Sequence, residues 1–350
     1  MSSKKFFSST IFVTIILLVL LALPTIIVDP FFHYRAPQGN YRLNNQRYQN
    51  DGIARHFEYD ALITGSSMSE NFKVSEFNEL FETNAVKLPY SGAQFQEIDT
   101  AVNIALKSNA ELKLVFRSLD LMMLDNDKDS VRYESYPTYL YDDNLVNDVY
   151  YFLNKEVFIN ATMDTIQLRK NGDASTTFDE YSSWETERTV KDQIDEGTFV
   201  REALSEEQRI FTEADKKRVL GNIEQNVIQT AKENPDVIFV LFMPPYSCMY
   251  FDSLIRTGQW DYHIAVQKCV IEEILKYDNI KLFSFCNYYD VVCNLELYRD
   301  TLHYNADISS WILQCIESEE GLLTEDNYLK YLEDIYGFYG ALDCDSYFEK

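Results

Sequence analysis

The chain is 350 residues long, with 46% hydrophobic and 15% aromatic residues. That supports one large domain or two small ones with a sizeable core, and it excludes a disordered chain. The formal charge of −25 argues against nucleic acid as a partner, because an acidic surface repels phosphate.

Lys4 and Lys5 precede an apolar run from Ile11 to Val28, interrupted by Thr14, Pro24 and Thr25. With Phe6 and Phe7 in front, the run is long enough to cross a bilayer. A cleaved signal peptide needs small residues at its cleavage site, and Ala22-Leu23-Pro24 is a poor match. Residues 1–30 therefore read as a short N-terminus and a retained signal anchor. The lysines lie before the span and Asp29 just after it, so the positive-inside rule puts the N-terminus in the cytoplasm. The remaining residues, roughly 320 of them given such a span, face outward. The expected location is a cell membrane crossed once, with the domain extracellular and the bilayer as first partner.

Residues 31–56 are aromatic and polar with little periodicity and read as a juxtamembrane stalk. An α/β domain is expected over 57–320. Tyr59 to Thr64 is an apolar run closed by Gly65, which predicts a buried strand and a turn. Ser69 to Phe81 is amphipathic and predicts a helix. Asn84 to Leu88 reads as a short strand closed by Pro89-Tyr90-Ser91-Gly92. Gln94 to Lys107 predicts a helix, and Leu112 to Phe116 a third strand ending near Arg117 to Asp120. This alternation signals a parallel sheet. It stops at about residue 125. From there to 212 the chain is polar and rich in Tyr and Asp, and reads as a mostly helical insertion. Its tyrosines and Trp184 either line a groove or form the insertion's own core. The alternation resumes with a helix from Lys216 to about Asn234 and a strand from Val237 to Phe242. That strand breaks at Met243-Pro244-Pro245-Tyr246. A helix over Trp260 to Tyr277, a last strand over Ile280 to Phe285 and a helix over Ala306 to Ile316 follow. Residues 321–350 read as an acidic helical extension. The expected fold class is α/β: a three-layer sandwich with a parallel central sheet, one N-terminal transmembrane helix and a mostly helical insertion.

In open parallel sheets, ligands bind outside the carboxyl ends of the strands. Ser67, Gly92, Asp120, Pro245 and His303 all fall just after predicted strands, so they collect on one edge. A serine nucleophile needs a base within hydrogen-bond reach. Of four histidines, His33 lies beside the membrane, His56 precedes the first strand and His263 lies in a predicted helix. His303 alone sits in a loop after a strand with a carboxylate, Asp300, three residues before it. Asp300 either orients the imidazole and stabilises imidazolium, or caps a turn. Ser67 competes with Ser66 and Ser69. A Gly-X-Ser turn favours Ser67, because Gly65 lets the backbone bend and the serine then opens a helix whose N–H can serve an oxyanion. Gly92 either brings its N–H to that oxyanion or turns the chain. Asp120 ties its loop or joins the pocket, and Tyr246 flanks it.

There is no Gly-rich phosphate loop, no H-E-x-x-H and no G-x-S-x-G elbow. The cysteine spacings do not resemble a zinc site, so neither metal nor cofactor is expected. All six cysteines lie between Cys248 and Cys344. Export permits disulfides in 15 connectivities; buried free thiols are the alternative. Cys286 and Cys293 are the closest pair in sequence.

These residues resemble the SGNH (GDSL-like) hydrolase superfamily. Gly65-Ser66-Ser67 stands where that family has Gly-Asp-Ser, Gly92 matches its second-block glycine, and Asp300-Thr301-Leu302-His303 matches its terminal Asp-x-x-His. Two further segments are Val28-Asp29-Pro30-Phe31-Phe32 after the anchor and Phe242-Met243-Pro244-Pro245-Tyr246-Ser247. They make the chain similar to membrane-anchored members that modify envelope polymers, as in teichoic-acid D-alanyl transfer and alginate O-acetylation. The resemblance covers Tyr59–Leu124, Val237–Ile316 and the anchor. It implies Ser67 as nucleophile, His303 as base, Asp300 as its orienting acid, and the Ser67 and Gly92 N–H groups at the oxyanion. The implied activity is that of an acyltransferase or esterase on a cell-envelope polysaccharide or teichoic-acid-like polymer. A polytopic membrane-bound O-acyltransferase is the implied partner. One departure stands out. The family's third block carries an Asn that donates to the oxyanion, and the matching strand here ends Phe116-Arg117-Ser118-Leu119-Asp120. That departure fits acyl-transfer relatives. It also keeps open a non-catalytic module that binds polysaccharide or scaffolds an export complex.

Overall fold

The computed structural model describes residues 3–132, 137–142 and 144–349. The chain divides into two compact units, residues 1–58 with 133–177 and residues 59–132 with 178–350. The stretch read as one insertion is thus shared between them.

The second unit is mixed α/β. Its six-stranded sheet has the order β2-β1-β3-β4-β5-β6. The strands are β1 (Ala61–Gly65), β2 (Ala85–Pro89), β3 (Leu114–Ser118), β4 (Ile238–Met243), β5 (Ile280–Ser284) and β6 (Leu322–Leu323). β1 to β5 run parallel, and β6 pairs antiparallel with β5. β5 is therefore not the last strand. Two residues carry no readable alternation, which is why β6 is invisible in the sequence. The parallel strands are short apolar runs because both sheet faces are covered. All five residues of β1, and all five of β2, are buried.

Helices join the parallel strands. Val74–Phe81 lies between β1 and β2 and packs on Ala306–Glu317. Phe95–Ser108 lies between β2 and β3 and packs on the turn Glu224–Ile228, while Trp260–Ile274 packs on Glu213–Ile223. Chain direction reverses across the sheet between β1, which leads to β2 on one side, and β3 on the other. Right-handed crossovers then place Val74–Phe81 and Phe95–Ser108 on opposite faces. The helix Cys248–Arg256 follows the Pro244-Pro245 break and was not expected.

Two buried cations sit in this apolar sheet, one holding a loop and the other two helices. Lys87 of β2 is fully buried, and its Nζ donates to the carbonyls of Glu70 at 2.6 Å and Phe72 at 3.0 Å. Burial pushes its ammonium down to about 8. Arg117 of β3 donates to Asn226 O at 2.8 Å and Phe95 O at 3.3 Å, and burial pushes it down to about 10. The carbonyls held by Lys87 are lost to a helical ladder. That explains why the helix expected from Ser69 begins only at Val74. Within the core, Phe72 meets Phe116 at 5.1 Å and Phe242 at 5.4 Å between ring centroids.

The first unit is built around the N-terminal helix Ser3–Val28, which is long and apolar enough to cross a membrane. Only its last turns are covered, at Ala22, Thr25 and Val28. The expected stalk contains a helix, Gln46–His56. Hydrophobic periodicity misses it because its buried side includes Gln49, Asn50 and Asp51. Gln49 accepts from the N–H groups of Asn44 and Asn45 and donates to the carbonyls of Arg42 and Pro30. Phe31, Leu140, Tyr151 and Val157 form the core of this unit.

All six cysteines are free thiols. Cys286 donates to Pro244 O at 3.6 Å, and Cys248 has Cys293 and Cys344 as its thiol neighbours.

Phe72→Ala empties the contact between the Ser67 loop and the sheet. It should cost about 3–5 kcal/mol, the usual range for a buried Phe, read as a lower midpoint in urea unfolding.

Candidate active site

β1 delivers Ser67 through Gly65. Gly65 has φ +145°, and a Cβ there would lie 2.2 Å from Ser118 Oγ. Glycine is what lets the ends of β1 and β3 come this close. Ser66 shapes the turn that follows. Its Oγ accepts the Met68 N–H at 3.2 Å and donates to Asp120 Oδ1 at 2.8 Å. Ser67 then opens a single 3-10 turn, Ser67–Ser69. Ser69 turns inward, donating to Ser66 O at 2.8 Å.

His303 arrives on the loop before helix Ala306–Glu317. The loop is braced from inside and outside. Arg299 N donates to His303 O at 2.8 Å, and Tyr298 pairs with Tyr304 as an isolated bridge. Ser247 donates to Thr301 O from both its N–H, at 3.1 Å, and its hydroxyl, at 3.0 Å. Tyr304 donates to Met68 O at 3.2 Å, which ties the His303 loop to the Ser67 turn.

The two loops meet. Ser67 Oγ lies 2.8 Å from His303 Nε2, and His303 Nδ1 lies 2.8 and 3.0 Å from the two Asp300 oxygens. A carboxylate only accepts, so Nδ1 carries the proton and Nε2 is left to accept from the Ser67 hydroxyl. Asp300 Oδ1 also accepts the N–H groups of Leu302 and His303, both at 2.9 Å. Burial pushes the Asp300 carboxyl up, but the hydrogen bonds it accepts from His303 and Leu302 outweigh it and hold it below its usual value. Chemically, the arrangement can draw the proton from Ser67 and hold it on an oriented imidazole.

Asp120 sits behind the turn, 2% exposed. It accepts from Ser66 and Tyr246 at Oδ1, at 2.8 and 3.1 Å, and from Ser118 at Oδ2, at 2.8 Å. Burial raises its pKa, opposed by those three hydroxyls and by His303. A cavity of about 160 Å³ opens over the site. Ser66, Ser67, Gly92, Asp120, Tyr246 and His303 all line it. Gly92 has φ +67°, a left-handed conformation that favours glycine.

The other three histidines lie elsewhere. His33 and His56 fall in the first unit. His263 is buried in helix Trp260–Ile274, and burial pushes it down to about 4. Some lining residues carried no signal in the sequence: Met122, Met123, Asn126 and Arg132 also face the cavity. Trp184 stands edge-on to His303, with centroids 5.8 Å apart, and donates from Nε1 to Glu70 at 2.9 Å. Its place in a polar stretch was the one available hint.

No family profile matches the chain, and no curated protein matches it. A solved chain from Streptococcus pneumonia, provisionally named a platelet activating factor, aligns at 10% identity with a TM-score of 0.39. The alignment covers 82% of this chain and 91% of that one. A likeness of that depth carries no argument about fold or chemistry.

Asp120→Ala leaves three buried hydroxyls without their acceptor. It should cost at least the about 1–3 kcal/mol of one orphaned buried group, seen as a lower thermal midpoint. Asp300 gives a pH signature. Its folded-state pKa is depressed, so its stabilisation is complete above the unfolded value, about 3.9, and is lost as pH falls through the folded one. The stability gap between wild type and Asp300→Asn should close below about pH 4, measured by denaturant midpoints across pH.

Proposed function

We propose that this chain is a membrane-anchored serine acyltransferase or esterase of SGNH type. It works outside the cytoplasm on a cell-envelope polysaccharide or teichoic-acid-like polymer. The observation that carries this reading is the continuous relay from Ser67 Oγ through His303 to Asp300, at 2.8 Å per step.

His303 Nε2 takes the Ser67 proton as Oγ attacks an acyl carbonyl. The oxyanion is held by the N–H groups of Ser67 and Gly92. His303 then returns the proton to the departing oxygen, and the acyl group remains on Ser67 as an ester. In the second half, a polymer hydroxyl or water gives its proton to His303 and takes the acyl group, and His303 returns that proton to Ser67 Oγ as the ester bond to it breaks. A cavity of about 160 Å³ suits a short acyl group rather than a fatty chain.

The end of β3 departs from the superfamily pattern in a way that fits its acyl-transfer members. Asp120 lines the cavity where the superfamily has a donating Asn. Its oxygens accept from Ser66, Ser118 and Tyr246, so it offers no amide N–H. Two donors then serve the oxyanion. A polytopic membrane-bound O-acyltransferase that brings the acyl group across the bilayer is the proposed partner.

A serine-directed fluorophosphonate should label the wild type and fail to label Ser67→Ala, read by gel fluorescence and by mass spectrometry of the Ser67 peptide. Labelling that survives the substitution would sink the assignment of Ser67, and a wild type that takes no label would leave the non-catalytic polysaccharide-binding reading in its place.

A further inference from the structure

The first unit carries an apolar surface that the protein leaves uncovered. Leu145, Val149 and Leu153 recur every four residues, and Val146 and Tyr150 keep the same interval one place on. Residues 145–148 form a turn and Val149–Phe152 a single helical turn, and all five of these side chains are exposed. Leu145 is 75% exposed and Val146 84%. A second stripe, Ile159, Met163 and Ile166, is exposed on the helical stretch that follows. Scattered exposed apolar residues are ordinary, but two stripes within residues 145–166 mark an interaction surface.

The attachment of this segment decides what covers it. Thr162 meets Thr25 hydroxyl to hydroxyl at 3.1 Å, and both are fully buried. Tyr151 donates to Asp29 at 2.9 Å, and Asp148 holds His33 and Tyr34. The segment is thereby fixed to the last turn of helix Ser3–Val28 and to the residues just beyond it. Upstream of Ala22 that helix is exposed all round, as a helix in lipid would be. The apolar run Ile11–Val28 would span about 27 Å at 1.5 Å per residue. The hydrocarbon core is about 30 Å thick. Val28 then lies where acyl chains meet headgroups, and so does everything pinned beside it. A cleft of about 730 Å³ shares Val149, Tyr150 and Leu153 with the first stripe and adds Tyr48, Tyr139 and Asn154. Tyrosine is enriched at that depth because its ring is apolar and its hydroxyl is wet.

The geometry points to an interfacial foot: residues 145–166 set both apolar stripes into the leaflet at the C-terminal end of helix Ser3–Val28, with phospholipid acyl chains as the occupant. The chain thus holds the membrane at two places, one crossing it and one lying in its surface.

The test uses full-length protein in phosphatidylcholine–phosphatidylglycerol vesicles. Val146→Trp adds an indole at a surface position, and its emission is obtained by difference against the parent, which has three tryptophans. The added emission should be blue-shifted and should fall at least twofold when the acyl chains carry bromine near their headgroup end. Water-like emission with no bromine quenching overturns the foot. A measurement on the wild type guards against a misfolded variant: a diazirine phospholipid should crosslink within residues 144–153. Lipid labelling confined to residues 3–28 overturns the proposal. So do crosslinks at Val146 to a second copy or to another protein without lipid labelling.

Discussion

A single buried carboxylate holds together the end of the sheet where the chemistry would occur. Asp120 gathers hydroxyls from the turn after β1, from the last residue of β3 and from the chain just beyond β4. Three neighbouring parallel strands therefore end in one hydrogen-bonded knot. Removing a carboxylate from water is expensive, and three donated hydrogen bonds offset that cost. The knot fixes Ser66, Ser66 fixes the Met68 N–H, and the Ser67 side chain is aimed by what surrounds it. Gly65 serves the same end by allowing β3 to approach.

The parallel sheet was readable because its strands are apolar on both faces and end at punctuation: Gly65, Pro89 and the Pro244-Pro245 pair. The meeting of Ser67, His303 and Asp300 was readable from the Gly-X-Ser turn after β1 and the Asp-x-x-His loop, although a short helix and a 3-10 turn separate that loop from β5. Elements that fold through polar contacts were not. The helix Gln46–His56 is buried on every side from Gln49 to Ala54, polar residues included, so no apolar stripe marks it. The late start of helix Val74–Phe81 depends on Lys87 taking two carbonyls, a contact between segments far apart in sequence. Asp120 was visible as a residue at a strand end. Its role as a hub needs Ser118 and Tyr246, which no local pattern links to it.

Both units use cationic side chains to satisfy backbone carbonyls, at different places. In the sheet unit, buried Lys87 holds two carbonyls of the loop after the Ser67 turn, and buried Arg117 holds carbonyls of two helices. In the first unit, Asp29 accepts from His33 N, Tyr34 N and the Tyr151 hydroxyl, while Arg35 donates to the carbonyls of Ile26 and Ile27. Those contacts finish the long helix with satisfied backbone groups, as a helix ending at a wet–dry boundary requires.

Trp184 bears on the order of events at the candidate site. His303 is held at Nδ1 by Asp300 and met edge-on by the indole, so its ring has one working pose. A base that cannot swing must serve both halves of an acyl exchange from the same nitrogen. The group that leaves and the group that arrives would then contend for one position beside Ser67. On the proposed reading such a site would run as a turnstile, the first partner departing before the second is admitted.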